Sequence, residues 1–296
     1  MSTIKRPAAS TPQRRRKVTP RSAASITPSI DFDRELATLF DLHSKVALLA
    51  GGYGGIGEAI AWGLAQRGAT VVIAGRSRAK AARLATQLTA AGYAAHGVAL
   101  DTTRVAASER SVAAIAKRFG AIDILVNCVG TQIEEPIGKV TEKSFDHVVA
   151  VNLKAAMFLA QAVARHQIDA AVGEKRGGKQ MHLLSVRAQL GLRDRGYSAY
   201  CSTKGALVML IKQHAMELAR HGINVNGIAP TFVYTEMIRH VMDDPDFRRQ
   251  LLARIPLGRI ADPKDVVGAA VFLASPASDF ITGQIVYVDG GITASQ

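Results

Sequence analysis

Short apolar segments alternate with longer amphipathic ones along most of this 296-residue chain. β-Branched or aliphatic runs bounded by turn residues read as strands, and the intervening segments carry the periodicity of helices. The strand-like segments are Lys45–Ala50, Thr70–Ala74, His96–Leu100, Ile122–Val126, Gln180–Leu184, Ile223–Ile228 and Gln284–Val288. Such alternation indicates parallel pairing with both faces covered. We therefore predict an α/β, doubly wound Rossmann fold: a single seven-stranded parallel sheet with helices on both faces.

The alternation has no internal boundary, so residues 40–296 are predicted to form a single Rossmann-type domain. The formal net charge is +13, and seven of the basic residues lie in the first thirty positions, where no acid occurs. This segment has little to bury, and residues 1–35 are predicted to be a basic, disordered tail. Three roles for the tail stay open: a solvated extension, an organellar targeting segment, or an arm that touches nucleic acid or an anionic surface.

The two cysteines, Cys128 and Cys201, are few for a chain of this length and indicate a reducing compartment. The N-terminus lacks the apolar core of a secretory signal. No apolar stretch is expected to be long and uninterrupted enough to span a bilayer. A cytoplasmic protein without a membrane partner is predicted.

The stretch AGGYGGIG, Ala50 to Gly57, joins the first strand to the first long helix. Glycines at such a junction allow positive φ and let backbone N–H groups approach a pyrophosphate at the helix N-terminus. Two spacings fit: Gly52-x-Gly54-x-x-Gly57 and Gly51-x-x-x-Gly55-x-Gly57. A glycine-rich turn without a ligand is the alternative to either.

The end of the second strand bears on which dinucleotide would bind. Dinucleotide-binding units commonly place an acid there to hold the adenosine ribose hydroxyls. Here the sequence is Ala74-Gly75-Arg76-Ser77, with no acid. A guanidinium can pair with a 2′-phosphate, so Arg76 favours NADP(H) over NAD(H). A solvated loop charge is the alternative interpretation of Arg76.

Tyr200 and Lys204 form a Y-x-x-x-K pair on a predicted helix, where positions i and i+4 share a face. An ammonium near a phenol favours the phenolate, so Lys204 is expected to lower the pKa of Tyr200 toward working pH. Tyr200 would then serve as a general acid or base. Taken alone, this spacing is common by chance, and Asn127, Asn152 and Ser185 each have an ordinary structural interpretation.

In combination, these motifs resemble the short-chain dehydrogenase/reductase family from about Leu39 to Gly291. The glycine loop is similar to the family's T-G-x-x-x-G-I-G with Ala50 replacing Thr, which favours the Gly51 spacing and makes Gly52 and Gly54 variable positions. The resemblance implies catalytic roles for Asn152, Ser185, Tyr200 and Lys204. It also implies a cofactor-binding set without a metal: Gly51, Tyr53, Gly55, Ile56, Gly57, Arg76, Asp101, Asn127, Gly130, Tyr200, Lys204, Pro230, Val233 and Thr235.

Three departures from the family pattern stand out. Ala50 lacks the hydroxyl that would brace the loop. Gly54 stands where many NADP-preferring members carry a basic residue. Ser185 precedes Tyr200 by fifteen positions rather than the more usual thirteen or so, and we expect the extra length to bulge within residues 187–197. Ser198 and Ser202 are the competing candidates for the serine role.

The resemblance implies hydride transfer between a nicotinamide and a carbonyl or secondary alcohol. The C-terminal stretch FLASPASDFITGQIVYVDGG resembles gluconate 5-dehydrogenase-type members, which favours a sugar-acid or polyol substrate. The alternative enzymatic function is reduction of a 3-oxoacyl group on acyl carrier protein. The alternative non-enzymatic function is that of a cofactor-sensing or nucleic-acid-binding regulator that uses the tail.

A lid over residues 234–258 is expected. The possible partners of an anionic substrate are Arg193, Arg195, Arg239 and His240. Family members commonly pair the helices at 142–167 and 198–220 into dimers and tetramers.

Overall fold

The computed structural model describes residues 31–169, 177–193, 195–238 and 243–294. Its centre is one seven-stranded parallel sheet in the order β3-β2-β1-β4-β5-β6-β7. The strands are β1 Val46–Ala50, β2 Thr70–Gly75, β3 Ala95–Ala99, β4 Ile124–Asn127, β5 Gly178–Leu183, β6 Ile223–Pro230 and β7 Ile285–Val288. The predicted fold and strand number are confirmed.

One short helix precedes β1, and the other helices occupy the connections between the strands. Their bounds are α1 Phe32–Ala37, α2 Gly55–Gln66, α3 Arg78–Ala90, α4 Val105–Phe119, α5 Glu142–Val149, α6 Ala155–Asp169, α7 Ser198–Leu218, α8 Pro245–Leu252 and α9 Pro263–Ala274. The residues from Ala37 onward form one compact unit. The predicted tail, residues 1–35, falls largely on residues outside the described ones, but it overlaps α1, which begins at Phe32.

Helices cover both faces of the sheet, and every residue of the central strand β1 is therefore buried. Ala47 and Leu49 pack with α2, α3 and α9 on one face. Leu48 and Ala50 pack with α4 and α6 on the other. A strand that is apolar at every position can be stable only between two helical layers, which is why the alternation in the sequence fixes this architecture.

The helical run Glu142–Asp169 has 28 residues and a mean hydropathy of 1.4 in its most apolar window. By length and composition alone it could cross a bilayer, although charged side chains, Lys154 and Arg165 among them, interrupt it. Half of that window is buried inside the fold, as in the core helix of a globular protein. Both cysteines are free thiols.

The glycine loop folds tightly against its own strand and against β4. Gly51 has φ +75°, a left-handed conformation that favours glycine. A Cβ at Gly57 would lie 2.6 Å from the Gly51 carbonyl oxygen, and one at Gly55 would overlap the Thr235 side chain. These contacts explain the spacing Gly51-x-x-x-Gly55-x-Gly57.

The two intervening glycines differ from one another. A Cβ at Gly54 would meet its nearest atom, the Gly51 oxygen, at 3.7 Å, so this position can vary as predicted. A Cβ at Gly52 would lie 2.8 Å from the Leu49 Cβ. A side chain at Gly52 would therefore require the turn to shift in this chain, because the turn folds back onto the end of β1. That this position varies among family members stays a prediction.

Serine substitutions distinguish a glycine that the packing requires, Gly57, from one that it does not require, Gly54. We expect Gly57→Ser to destabilise the fold by about 1–3 kcal/mol through overpacking at the start of α2. Gly54→Ser should be neutral or slightly stabilising, because Gly54 is the N-cap of α2 and serine is a favoured N-cap residue. Thermal melting of both variants checks the difference, and equal melting temperatures would contradict the packing described for Gly57.

Candidate active site

The strand order reverses direction between β1 and β4, and the loops that follow these two strands diverge there. Ligands of doubly wound sheets bind in the crevice at such a switch point, outside the carboxyl ends of the strands. The glycine loop follows β1, and Asn127 to Gly130 follow β4. A Cβ at Gly51 would lie 3.1 Å from the Cys128 carbonyl carbon. The two segments assigned to the cofactor by sequence therefore lie side by side.

Asn152 lies in a π-helical turn, Ala150–Lys154, that separates α5 from α6. Its Oδ1 accepts from the Thr131 backbone N–H at 2.8 Å, and its Nδ2 donates to the Thr131 carbonyl at 2.9 Å and to the Thr203 hydroxyl at 3.1 Å. π-Turns inside α-helices are frequent at functional sites. The side chain ties the loop after β4 to helix α7, which carries Tyr200 and Lys204.

Ser185 and Tyr200 meet beyond the end of β5. The Ser185 side chain lies near enough to Tyr200 to lower the pKa of the phenol, so the two extra residues between them do not separate the pair. The bulge expected within residues 187–197 stays a prediction. Ser185 also accepts from the Arg187 backbone N–H at 3.2 Å. Ser198 and Ser202 are not the hydroxyls that contact Tyr200 in this way, and Ser185 keeps the position that the sequence assigned to it.

Lys204 reaches the same crevice from one turn further along α7. It is 3% exposed, and its Nζ donates to the Leu183 carbonyl at 2.7 Å. The Nζ lies 5.6 Å from the centroid of the Tyr200 ring. A Cβ at Gly130 would be 3.6 Å from this Nζ and 3.7 Å from the Asn152 Oδ1. All four predicted catalytic residues thus converge beside the loop after β4.

The protonation states differ from the expectation. Burial raises the pKa of Tyr200 to about 12, although the hydrogen bond with Ser185 lowers it. The prediction that Lys204 brings this pKa down toward working pH is wrong for this structure, because desolvation of the phenolate dominates. Burial also lowers the pKa of Lys204 to about 8, an effect that the nearby Cys128 thiol partly opposes. Near neutral pH, Tyr200 is a proton donor beside a charged lysine.

A buried histidine supports the loop after β4. Asn127 Nδ2 donates to His182 Nδ1 at 3.4 Å, and Asn127 Oδ1 accepts from the Val129 backbone N–H at 3.1 Å. Burial lowers the pKa of His182 to about 3, which keeps the ring neutral. No motif in the sequence predicted a role for this residue. The one indication was the pair of polar residues, Gln180 and His182, in a strand expected to be buried on both faces.

The remaining predicted cofactor residues lie at or just beyond the carboxyl ends of β1, β2 and β3. Tyr53 accepts from the Ser77 backbone N–H at 3.0 Å, and its ring occupies the space that a side chain at Gly75 would need. Ile56 packs against the core from the first turn of α2. Asp101 follows β3 and accepts from both the N–H and the hydroxyl of Thr103. Arg76 is exposed at the end of β2.

The segment after β6 lies beside the glycine loop. Pro230 ends β6, Val233 forms a parallel bridge with Ala261, and Thr235 touches the loop at Gly55. The Thr231 hydroxyl is buried without a partner among the described residues. A polar atom left unpaired beside this crevice fits a ligand that carries hydrogen-bonding groups. The glycine loop and the hydrogen-bonding groups around the crevice, including the unpaired Thr231 hydroxyl, fit a nicotinamide dinucleotide.

The loop of residues 187–197 contacts the predicted lid. Arg195 pairs with Glu134 at 2.8 Å, and its guanidinium lies 5.1 Å from the ring centroid of Phe247 in α8. Arg195 is therefore engaged structurally, although it was a candidate partner for an anionic substrate. Arg193 is exposed. Arg239 and His240, the other two candidates, lie outside the described residues.

Comparison with known proteins agrees with this geometry. A family model described as enoyl-(acyl carrier protein) reductase matches residues 51–293. The gluconate 5-dehydrogenase of Gluconobacter oxydans is 40% identical over 87% of this chain and 98% of its own length. The galactitol 2-dehydrogenase of Agrobacterium fabrum is 39% identical over 84% of this chain and 98% of its own.

Among solved structures, a gluconate 5-dehydrogenase from Burkholderia cenocepacia in complex with NADP and tartrate superposes with a TM-score of 0.84. It is 38% identical, and the match covers 88% of this chain and all of that one. The identity, the coverage and the shared arrangement lead to one conclusion: the chain belongs to the short-chain dehydrogenase/reductase family and is an NAD(P)-dependent oxidoreductase.

Proposed function

We propose that this protein interconverts a sugar acid and its keto form, as a gluconate 5-dehydrogenase-like enzyme that prefers NADP(H). The observation that carries the proposal is the convergence of Ser185, Tyr200 and Lys204 at the crevice between the glycine loop and β4. The similarity to gluconate dehydrogenases supports the substrate class.

In the reductive direction, Tyr200 donates its phenolic proton to the carbonyl oxygen as that oxygen becomes an alcohol. The Ser185 hydroxyl hydrogen-bonds the same oxygen and orients the carbonyl toward Tyr200. A bound nicotinamide supplies the hydride. Lys204 would hold the nicotinamide ribose and stabilise the phenolate that remains after proton transfer. Asn152 is a positioning residue in this scheme, and its proposed role as the anchor of a relay water stays a prediction.

Preference for the phosphorylated cofactor rests on the end of β2. Arg76 is exposed there, and the first turn of α3 contains no acid. The Tyr53 hydroxyl, held by the Ser77 N–H, faces the same corner. A region with basic side chains and no carboxylate favours a 2′-phosphate over a free ribose hydroxyl. Gly51, Gly55 and Gly57 would approach the pyrophosphate, and Asp101 the adenine.

We also infer a homo-oligomer, a dimer or a tetramer, in the cytoplasm. Three large apolar side chains are exposed on α5 and α7: Phe145 at 42%, Met209 at 62% and Met216 at 66%. Exposed apolar side chains on neighbouring helices favour burial against another subunit. The alternative of a regulator that uses the basic tail rests on residues outside the described ones, and the complete catalytic set favours an enzyme.

A substrate panel tests the function. We expect purified protein to reduce 5-ketogluconate with NADPH faster than with NADH, read by cofactor absorbance. Arg76→Gln should lose about tenfold or more of the NADPH preference by raising the KM for NADPH, because one charge-assisted pair to the phosphate is lost. Arg83→Gln, an exposed charge further along α3, is the matched control. Reduction of 3-oxoacyl thioesters without any turnover of keto sugar acids would overturn the proposal.

The pKa of Lys204 predicts a pH dependence. Because burial lowers that pKa to about 8, the ammonium form is lost as pH rises through this value. We expect kcat/KM for reduction to decline above about pH 8. Lys204→Arg keeps its charge at all accessible pH values, so its decline should move to higher pH even if its maximum is lower. If kcat/KM declined over the same pH range in the wild-type protein and in Lys204→Arg, a group other than Lys204 would be responsible for the decline.

A further inference from the structure

One arginine is buried beside the catalytic residues. Arg187 follows Ser185 by two positions and is 4% exposed. Its backbone N–H donates to the Ser185 hydroxyl. Its charge lies near enough to Tyr200 to favour the phenolate. A guanidinium is costly to bury unless it is paired with an acceptor or a counter-charge, so its partners decide what it does.

The bonds described for Arg187 use only one edge of the guanidinium. Nη1 donates to the carbonyl oxygens of Leu190 and Gly191, at 3.3 Å and 2.5 Å. Among the described residues, Nε and Nη2 have no hydrogen-bond partner and no carboxylate forms an ion pair with this side chain. The Nε–Nη2 edge is one of the two edges with which arginine binds a carboxylate through a pair of parallel hydrogen bonds.

A second arginine, on the lid, lies near enough to Arg187 to influence its pKa. Arg254 lies just beyond α8 and is exposed, and it too has no ion pair within the described part of the chain. Burial lowers the pKa of Arg187, and the neighbouring charge of Arg254 lowers it further. Two like charges held near each other are mutually unfavourable. An anion placed between them would remove that penalty.

The lid segment that carries Arg254 packs against the loop that carries Arg187. Leu251 and Ile255, on either side of Arg254, are buried in a small cluster that includes Leu190 from the Arg187 loop. Packing between the two segments keeps Arg254 near the loop that contains Arg187. The site therefore has two cations, one on the loop after Ser185 and one on the lid.

We propose that Arg187, through its Nε–Nη2 edge, and Arg254 bind the carboxylate of the substrate and so select sugar acids over neutral polyols. This inference rests on the proposed function. A neutral polyol has no carboxylate to place between the two arginines. The carboxylate would lie a few carbons from the carbonyl that Ser185 and Tyr200 contact.

Gluconate and sorbitol form a matched pair of ligands for the test, since they differ chiefly by a carboxylate in place of a hydroxymethyl group. For the wild-type holoenzyme we expect a lower KM for gluconate than for sorbitol. Arg254→Gln should raise the KM for gluconate by about ten- to a hundredfold, the effect of losing a charge-assisted contact, and leave the KM for sorbitol nearly unchanged. Arg187→Lys keeps the charge without the bidentate edge and should show the same selectivity loss.

Thermal melting gives a readout that a purely structural role would not produce. Without ligand, Arg254→Gln should melt at or above the wild-type temperature, because a like-charge contact is removed. It should also lose the upward shift that gluconate gives the wild-type protein. Arg248→Gln, an exposed arginine of α8 next to the lid position of Arg254, is the control for a long-range charge effect.

The outcomes are distinguishable. Equal changes for gluconate and sorbitol in Arg254→Gln, or an equal loss in Arg248→Gln, overturn the carboxylate site while the proposed function stands. If the wild-type protein turns over neither ligand and no keto sugar acid with either cofactor, the proposed function fails. A selective loss for gluconate in Arg254→Gln, with Arg248→Gln unchanged, supports the carboxylate site even if Arg187→Lys does not fold.

Discussion

The close approach of the glycine loop to the start of the β4 loop is the contact on which the rest of the site depends. β1 and β4 are adjacent and parallel, yet their following connections turn to opposite sides of the sheet. Only a chain without side chains at Gly51 and Gly57 can fold into the space between them. That turn leaves backbone N–H groups at the edge of the crevice, where an anionic dinucleotide can be held.

The catalytic group is assembled from elements far apart in the sequence. Asn152 lies in the π-turn between α5 and α6, and its three hydrogen bonds join the loop after β4 to α7. Because Tyr200 and Lys204 both lie on α7, their placement relative to the crevice depends on this link. A buried network of this kind rigidifies a site only when its members are satisfied, and each described bond of Asn152 has good geometry.

Much of the architecture could be predicted because it follows from local patterns. Strands that are apolar at every position require two helical layers, and Y-x-x-x-K on a helix places two side chains on one face. What could not be predicted depends on tertiary burial. The pKa of Tyr200 rises because the folded chain desolvates it, Gly52 is confined by the end of β1, and Arg187 is buried although its sequence neighbours resemble an ordinary loop.

The central claim is that Tyr200 is the proton donor of the reaction. Single-turnover kinetics of Tyr200→Phe with 5-ketogluconate and saturating NADPH test it most directly, with Tyr197→Phe as the control because the Tyr197 ring lies 6.1 Å from that of Tyr200. Loss of a positioned general acid predicts a fall of about 10²–10⁴-fold in the rate of reduction for Tyr200→Phe, with cofactor affinity retained. Tyr197→Phe should stay within a few-fold of wild type. A Tyr200→Phe protein that reduces the substrate at the wild-type rate would contradict the mechanism.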